Sequence, residues 1–246
     1  MMKKRLIILL ALIVFFGVTE AKANPKTAEE YISRGRTHYY KEDYNRAIAD
    51  YTTAILLDFK RAETFLYRGL AYLKKYEYDK AIEDFTKAIL IDPNYAVAYN
   101  NRGFAYEGKG DYDHAINDYT QAIRIDPDLN FVHDNRGFLY FNKGDYDHAI
   151  ADYTQAIRIF SDDEVAYNNR GASYNNKGEY DNAISDLDQS IRLNPKVANP
   201  YRHRAFAYMK KGNYKQARVD VNMALQINPN YQSAKELSAE LLKLGY

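Results

Sequence analysis

The residues in this 246-residue chain that could react are five histidines and many carboxylates; there is no cysteine. His114 and His148 stand one 34-residue step apart, beside Asp113 and Asp147, and such a pair could hold a metal ion. No third ligand keeps a fixed spacing to them, and Lys80 and Asn182 fill the equivalent places in neighbouring copies, so the expectation is no metal and no cofactor. A Gly-rich phosphate loop, a strand-turn-helix serine elbow and a Cys nucleophile are all missing. The aspartates read as helix caps or as partners of basic residues, and the expected protein is not an enzyme.

What remains is binding chemistry, carried by Phe and Asn. Asn offers both a donor and an acceptor, which suits a peptide backbone, and an exposed Phe is a contact group. Val97, Asn101, Phe104 and Gly108 fall at i, i+4, i+7 and i+11, one face of a helix at about 100° per residue. Phe131, Asn135, Phe138 and Asn142 repeat the spacing, as do Val165, Asn169, Ala172 and Asn176. Asn100, Asp134 and Asn168 flank these faces, and Phe141 and Phe206 complete the candidate set.

The elements that would position these groups recur at a fixed period. Gly35, Gly69, Gly103, Gly137 and Gly171 fall every 34 residues, with Ala205 in the sixth place. Ala47, Ala81, Ala115, Ala149, Ala183 and Ala217 keep the same step, and fixed self-similarity of this length marks a solenoid. Within one unit, Tyr99, Gly103 and Tyr106 share a first helix face, and Ala115, Tyr119 and Ala122 share a second. Gly110 can take the left-handed conformation that ends a helix, Asp111 can cap the next, and Pro127 stops it. A glycine inside a helix costs about 1 kcal/mol against alanine, so the Gly103 column predicts a close helix approach. Of 25 tyrosines, 18 lie in the columns of Tyr99, Tyr106, Tyr112 and Tyr119, which predicts packing duty for them.

This pattern resembles the tetratricopeptide repeat family, with Tyr99, Gly103, Tyr106, Ala115, Tyr119 and Pro127 in the places of its signature. The resemblance implies an all-α fold, a right-handed α-solenoid of helix-turn-helix repeats. Six copies are expected at 28–61, 62–95, 96–129, 130–163, 164–197 and 198–231, with a capping helix over 232–246. In that helix Ala239 takes the place of the repeat glycine and Leu242 that of Tyr106, with Lys235, Glu236, Glu240 and Lys243 outward. The resemblance also implies that the Phe/Asn face lines a concave groove for a peptide or partner helix. The family's clamp for chaperone C-terminal carboxylates uses Lys, Asn and Arg on this face; Val97, Phe104 and Phe138 stand here instead, so that activity is not expected. Two departures from the signature are plain. Phe59 and Ser161 replace the closing proline, the latter opening Ser161-Asp162-Asp163-Glu164 with capping-box spacing. Arg34, Arg68, Arg102, Arg136, Arg170 and Arg204 stand where the signature has Leu, each followed 16 residues later by Asp50, Asp84, Asp118, Asp152, Asp186 or Asp220, which predicts a repeated ion pair.

Residues 1–23 are of another kind. Lys3-Lys4-Arg5, the apolar run of 13 residues from Leu6 to Val18, and Ala21-Lys22-Ala23 are the three parts of a bacterial secretory signal, with cleavage expected before a short leader, 24–27. Export to the periplasm or medium, and no membrane span after cleavage, are the expectations. The mature chain would carry 30 basic and 32 acidic residues, a net of −2 without a basic stripe, so nucleic acid is not an expected partner. The expected function is a scaffold that binds a protein or peptide. The alternative is a module for cell-wall glycan, since Phe, Tyr and Asn also suit sugars; the lack of tryptophan argues against it.

Overall fold

The computed structural model describes residues 27–246. The secretory-signal reading, its cleavage site and residues 24–26 of the leader lie outside the described residues. Every regular element among the described residues is a helix. They form two compact units divided between Pro127 and Asp128.

The first unit holds α1 (Ala28–Tyr40), α2 (Tyr44–Leu57), α3 (Ala62–Lys74), α4 (Tyr78–Ile91), α5 (Ala96–Lys109) and α6 (Tyr112–Ile125). The second holds α7 (Asn130–Asn142), α8 (Tyr146–Ile159), α9 (Glu164–Lys177), α10 (Tyr180–Leu193), α11 (Ala198–Lys210), α12 (Tyr214–Ile227) and α13 (Gln232–Lys243). Consecutive helices pair as hairpins, and within each unit the second helix of one hairpin packs on the first helix of the next. First helices also touch first helices, as α9 touches α11, so the first helices form an inner layer of each unit.

The glycine column has a direct cause. A Cβ on Gly103 would lie 2.9 Å from the Tyr119 ring and 3.1 Å from the Ala115 carbonyl oxygen. The second-helix column that meets these glycines runs Tyr51, Phe85, Tyr119, Tyr153, Leu187, Val221. Alanine is accepted only at Ala205, opposite the smallest of the six, Val221. Tyr51, Tyr119 and Tyr153 are fully buried, as packing duty requires.

Turns follow the local chemistry. Gly110 closes α5 at φ 80°, giving its N–H to the carbonyl oxygens of Glu107 and Tyr106, and Asp111 accepts from the His114 N–H at the start of α6. Helices α2 and α8 stop at Leu57 and Ile159 without a closing proline. The capping-box reading at Ser161 is corrected: Asp163 caps α9, accepting from the N–H groups of Val165 and Ala166, because the helix begins at Glu164. A capping box does occur at Thr27, paired with Glu30, ahead of α1.

Helix α13 covers α11 and α12 with Ala234, Leu237 and Leu241, all buried. Lys235, Glu236, Glu240 and Lys243 face outward as expected. Ala239 and Leu242, aligned above with the Gly103 and Tyr106 columns, are instead exposed. Those columns face a second helix of the same hairpin, and none follows α13 among the described residues. Arg218 ties this end down, donating to Ser238 Oγ at 2.8 Å and to the Tyr246 carbonyl oxygen.

Candidate partner-binding surface

The expected ion pairs form within each hairpin. Arg102 grips Asp118 with Nε and Nη2, both at 2.8 Å, and the same fork joins Arg34 to Asp50, Arg68 to Asp84, Arg136 to Asp152, Arg170 to Asp186 and Arg204 to Asp220. Asp118 is buried, and its hydrogen bonds with Arg102, helped by its charge, hold the guanidinium above its ordinary value. The sequence reading missed a third partner. Arg68 Nη1 donates to Thr52 Oγ1 at 3.0 Å, Arg102 to Thr86 at 3.1 Å and Arg170 to Thr154 at 3.0 Å; Arg204 reaches Asp188 at 2.5 Å. These partners lie 16 residues before each Arg, a column visible in the sequence. One arginine therefore closes its own hairpin and ties it to the preceding one.

The histidines are used locally. His114 Nδ1 is 2.8 Å from its cap residue Asp111, and the ring stacks on Tyr106 at 5.0 Å. His148 does the same with Asp145 at 2.7 Å and Tyr140 at 5.0 Å. Among the described residues no group of three His, Cys, Asp or Glu could hold a metal ion.

The Phe/Asn face lies on the inner layer, but less openly than its spacing predicts. In the first unit, Val97 and Phe104 are half-buried and pack against the core shared by α3, α4 and α5. Asn100 and Asn101 are buried, and Asn101 Nδ2 gives its hydrogen bond to its own helix, at Val97 O, 2.7 Å away. Periodicity within one helix cannot see the neighbouring hairpin that covers it. Arg36, whose guanidinium lies 5.5 Å over the Tyr67 ring, and Lys74 share the inner layer of this unit.

In the second unit, Phe131, Asp134, Phe138 and Phe141 on α7 are half-buried, and Asn135 is buried. Asn168 is buried and Asn169 half-buried on α9; Phe206 on α11 packs beside Met209 and Leu237, with Lys210 Nζ 5.2 Å over its ring. Here amides link helices. Asn168 Nδ2 donates to Asn169 Oδ1 at 3.1 Å, and Asn168 Oδ1 meets His203 Nδ1 at 3.1 Å. Asn175 Nδ2 donates to the His203 carbonyl oxygen at 2.9 Å. Burial, helped by the Arg202 charge, pushes His203 down to about 3. The ring is therefore neutral, and Nδ1–H is the donor to Asn168. Three polar atoms of this cluster are buried without a hydrogen-bond partner: Asn169 Nδ2, Asn175 Oδ1 and Arg202 Nε. His203 and Arg202 were not singled out by the sequence reading; their signal was a polar pair at the places that Ile32 and Ser33 hold in the first repeat.

Comparison with known proteins agrees with this construction. Models described as tetratricopeptide repeat or TPR repeat match residues 28–61, 77–129 and 137–231. No curated protein sequence matches the chain. Among solved structures, the chain is similar to YrrB, titled a TPR protein with an unusual peptide-binding site, at 21% identity and TM-score 0.69 over 77% of this chain and 97% of that one. It is similar to MamA at 27% identity and TM-score 0.63, over 69% of this chain and 92% of that one. PilF of Pseudomonas aeruginosa matches at 17% identity and TM-score 0.75, over 87% of this chain and 97% of that one. None of the matching family descriptions is catalytic. With the 34-residue hairpins, the glycine–ring contacts and these matches together, the chain belongs to the tetratricopeptide repeat family, whose repeats scaffold contacts between proteins.

Proposed function

We propose that the protein is an exported, non-enzymatic adaptor that binds an extended peptide or a partner helix on its first-helix layer. The observation that carries this reading is the amide cluster of the second unit. A buried polar atom without a partner costs about 1–3 kcal/mol, and Asn169 Nδ2 and Asn175 Oδ1 are one donor and one acceptor left so on the same helix. Asn169 is half-buried as a residue, so a rotation of its side chain offers the amide to an incoming main chain. Phe131, Phe138, Phe141 and Phe206 supply apolar contact on the same layer. The likeness in fold to a protein titled for a peptide-binding site is consistent with this mode. Export rests on the basic start, the apolar run and the small-x-small site of residues 1–23.

The mature chain, immobilised, should capture a protein from envelope extract, and Asn169→Leu with Phe138→Ala should weaken that capture more than tenfold. Sedimentation with purified cell wall in place of protein capture would overturn the reading in favour of a glycan-binding module. Mass spectrometry of protein from the native host should find an N-terminus at Asn24; a full-length cytoplasmic product would remove the export step alone.

A further inference from the structure

The column arginines each spend Nε and Nη2 on one aspartate, as Arg170 does on Asp186 and Arg204 on Asp220. Arg202 has the same donors and no such partner. Its Nε is buried without a hydrogen bond, and its guanidinium lies 6.0 Å from the centroid of the Phe206 ring. No carboxylate among the described residues comes within ion-pair distance of it. Lys210 is in the same position, 5.2 Å over that ring and without a carboxylate. Residues 202, 206 and 210 are four apart, so the two cations flank the ring in one row along α11. At 1.5 Å per residue the row is about 12 Å long.

The acids of the helices packed on α11 are already committed. Arg170 holds Asp186, Lys177 holds Glu179, Lys211 holds Asp181, and Arg204 holds Asp188 and Asp220. Glu164 accepts from Asn194 at 3.5 Å. Helix α13 sets Glu236 and Glu240 beside Lys235 and Lys243, a balanced group, and Glu236 accepts from Gln232 Nε2 at 3.0 Å. The adjoining inner row on α9 runs Val165, Asn169, Ala172, Asn176 and holds no acid; Asp134 stands on α7, beyond α9. Asn169 Nδ2 adds one more donor without a partner. The row therefore presents unanswered positive charge on both sides of an aromatic ring.

We infer that the segment bound on the first-helix layer is extended and carries an acidic side chain, Asp or Glu, two residues to either side of an apolar one. The inference rests on the adaptor reading above and names the chemistry of its ligand. In an extended chain residues i, i+2 and i+4 line one face, and at about 3.3 Å per residue they span about 13 Å. That span matches the row: one carboxylate meets Arg202, the apolar side chain meets Phe206, and the second carboxylate meets Lys210. A turn of the half-buried Arg202 side chain brings Nε out to the carboxylate, in the side-on grip that the column arginines already use. A lone chain-terminal carboxylate would answer one of the two cations and leave the other.

Selection from a phage-displayed library tests it, with short random segments held between fixed Gly-Ser flanks so that no chain terminus is offered to immobilised chain 24–246. Selected segments should carry acid-x-apolar-x-acid at least threefold more often than the unselected library. One of them, synthesised with both ends blocked, should bind at least tenfold more weakly in fluorescence anisotropy once both acids are changed to their amides. The same change should matter less than twofold to Arg202→Gln with Lys210→Gln. The amide peptide tests the charge without altering the protein, so the inference stays exposed even where that variant folds poorly. Selected segments without an acidic excess, or an amide peptide that binds as tightly, would overturn the inference and leave the adaptor reading standing. Binding only by peptides with a free C-terminus would overturn it in favour of a terminal carboxylate. Selection of no segment at all would overturn the peptide reading with it.

Discussion

In the first unit the residue that must turn left-handed after the first helix is Glu42 in the first hairpin and Tyr76 in the second, both at φ 61°, and Gly110 in the third; in the second unit it is Gly144, Gly178 and Gly212. The first two hairpins stand apart on their surfaces as well. The first unit ends α2 and α4 with outward leucines where α8 and α10 of the second have Arg158 and Arg192. The inner layer of the first begins with Ile32 and Leu66, both buried, where that of the second carries Asp134, Asn168 and Arg202. The arginine forks and the buried alanines are alike in both. The fold is thus held by columns that do not change, and the two units are free to differ where those columns are not involved.

If that holds, breaking a fork should be equally severe in either unit. Removing one partner of a buried pair strands a charge and costs about 3–5 kcal/mol; Asp118 and Asp186 are both buried, so Arg102→Leu and Arg170→Leu should each approach that range in urea unfolding. The doubles Arg102→Leu/Asp118→Asn and Arg170→Leu/Asp186→Asn should recover part of the loss. A coupling energy near zero in one unit alone would break the comparison.

The glycine–ring contact is the next largest effect. Gly103→Ala should cost about 1–3 kcal/mol by overpacking against Tyr119. In a Tyr119→Val background, which copies the Ala205–Val221 arrangement, the same change should cost nothing or stabilise by up to about 1 kcal/mol, the helix preference for alanine. An equal penalty in both backgrounds would mean that the Ala115 carbonyl, not the ring, sets the approach.

Much of this was legible in the sequence. The period, the hairpin, the turn at Gly110 and the pairing of Arg with Asp all follow from spacing, because each is decided inside one 34-residue copy. The burial of Asn100, Asn101, Asn135 and Asn168 was not, because it is decided by a neighbouring hairpin. The packing of Phe104 escaped for the same reason, and truncating it should therefore cost stability as well as any binding. The third partner of each Arg also lies in another copy. Leu56 and Leu90 were visible as a break in a column of Arg, but only their exposure shows that the core does not claim them.

His203 gives the second unit an acid sensitivity. Its folded value, about 3, lies below the ordinary 6.5, so the folded ring stays neutral while the unfolded ring gains a proton. Stability from this group is present above pH 6.5 and is lost as pH falls below it, by about 1 kcal/mol between pH 7 and 5 after allowing for partial solvent access. Urea unfolding at both pH values should show that part of the slope vanish in His203→Gln. An unchanged slope would show that the ring can take up a proton in place.

The smallest effect bears on the turns. A side chain at positive φ is disfavoured by crowding between Cβ and the backbone, and glycine escapes it. Tyr76 is 68% exposed and its ring meets the edge of Tyr78 at 6.3 Å between centroids, so losing its side chain removes little buried area. Tyr76→Gly should therefore stabilise the first unit by about 0.5–1 kcal/mol, less the greater freedom glycine has in the unfolded chain. Gly144→Ala should destabilise the second by about 1 kcal/mol, although a Cβ there meets nothing within 4 Å, because its φ of 78° alone sets the cost. Thermal melts of the two variants should move in opposite directions from the parent. If Tyr76→Gly lowers the melting temperature, the Tyr76–Tyr78 contact outweighs the backbone cost, and the first unit has turned a strained turn residue into a packing one.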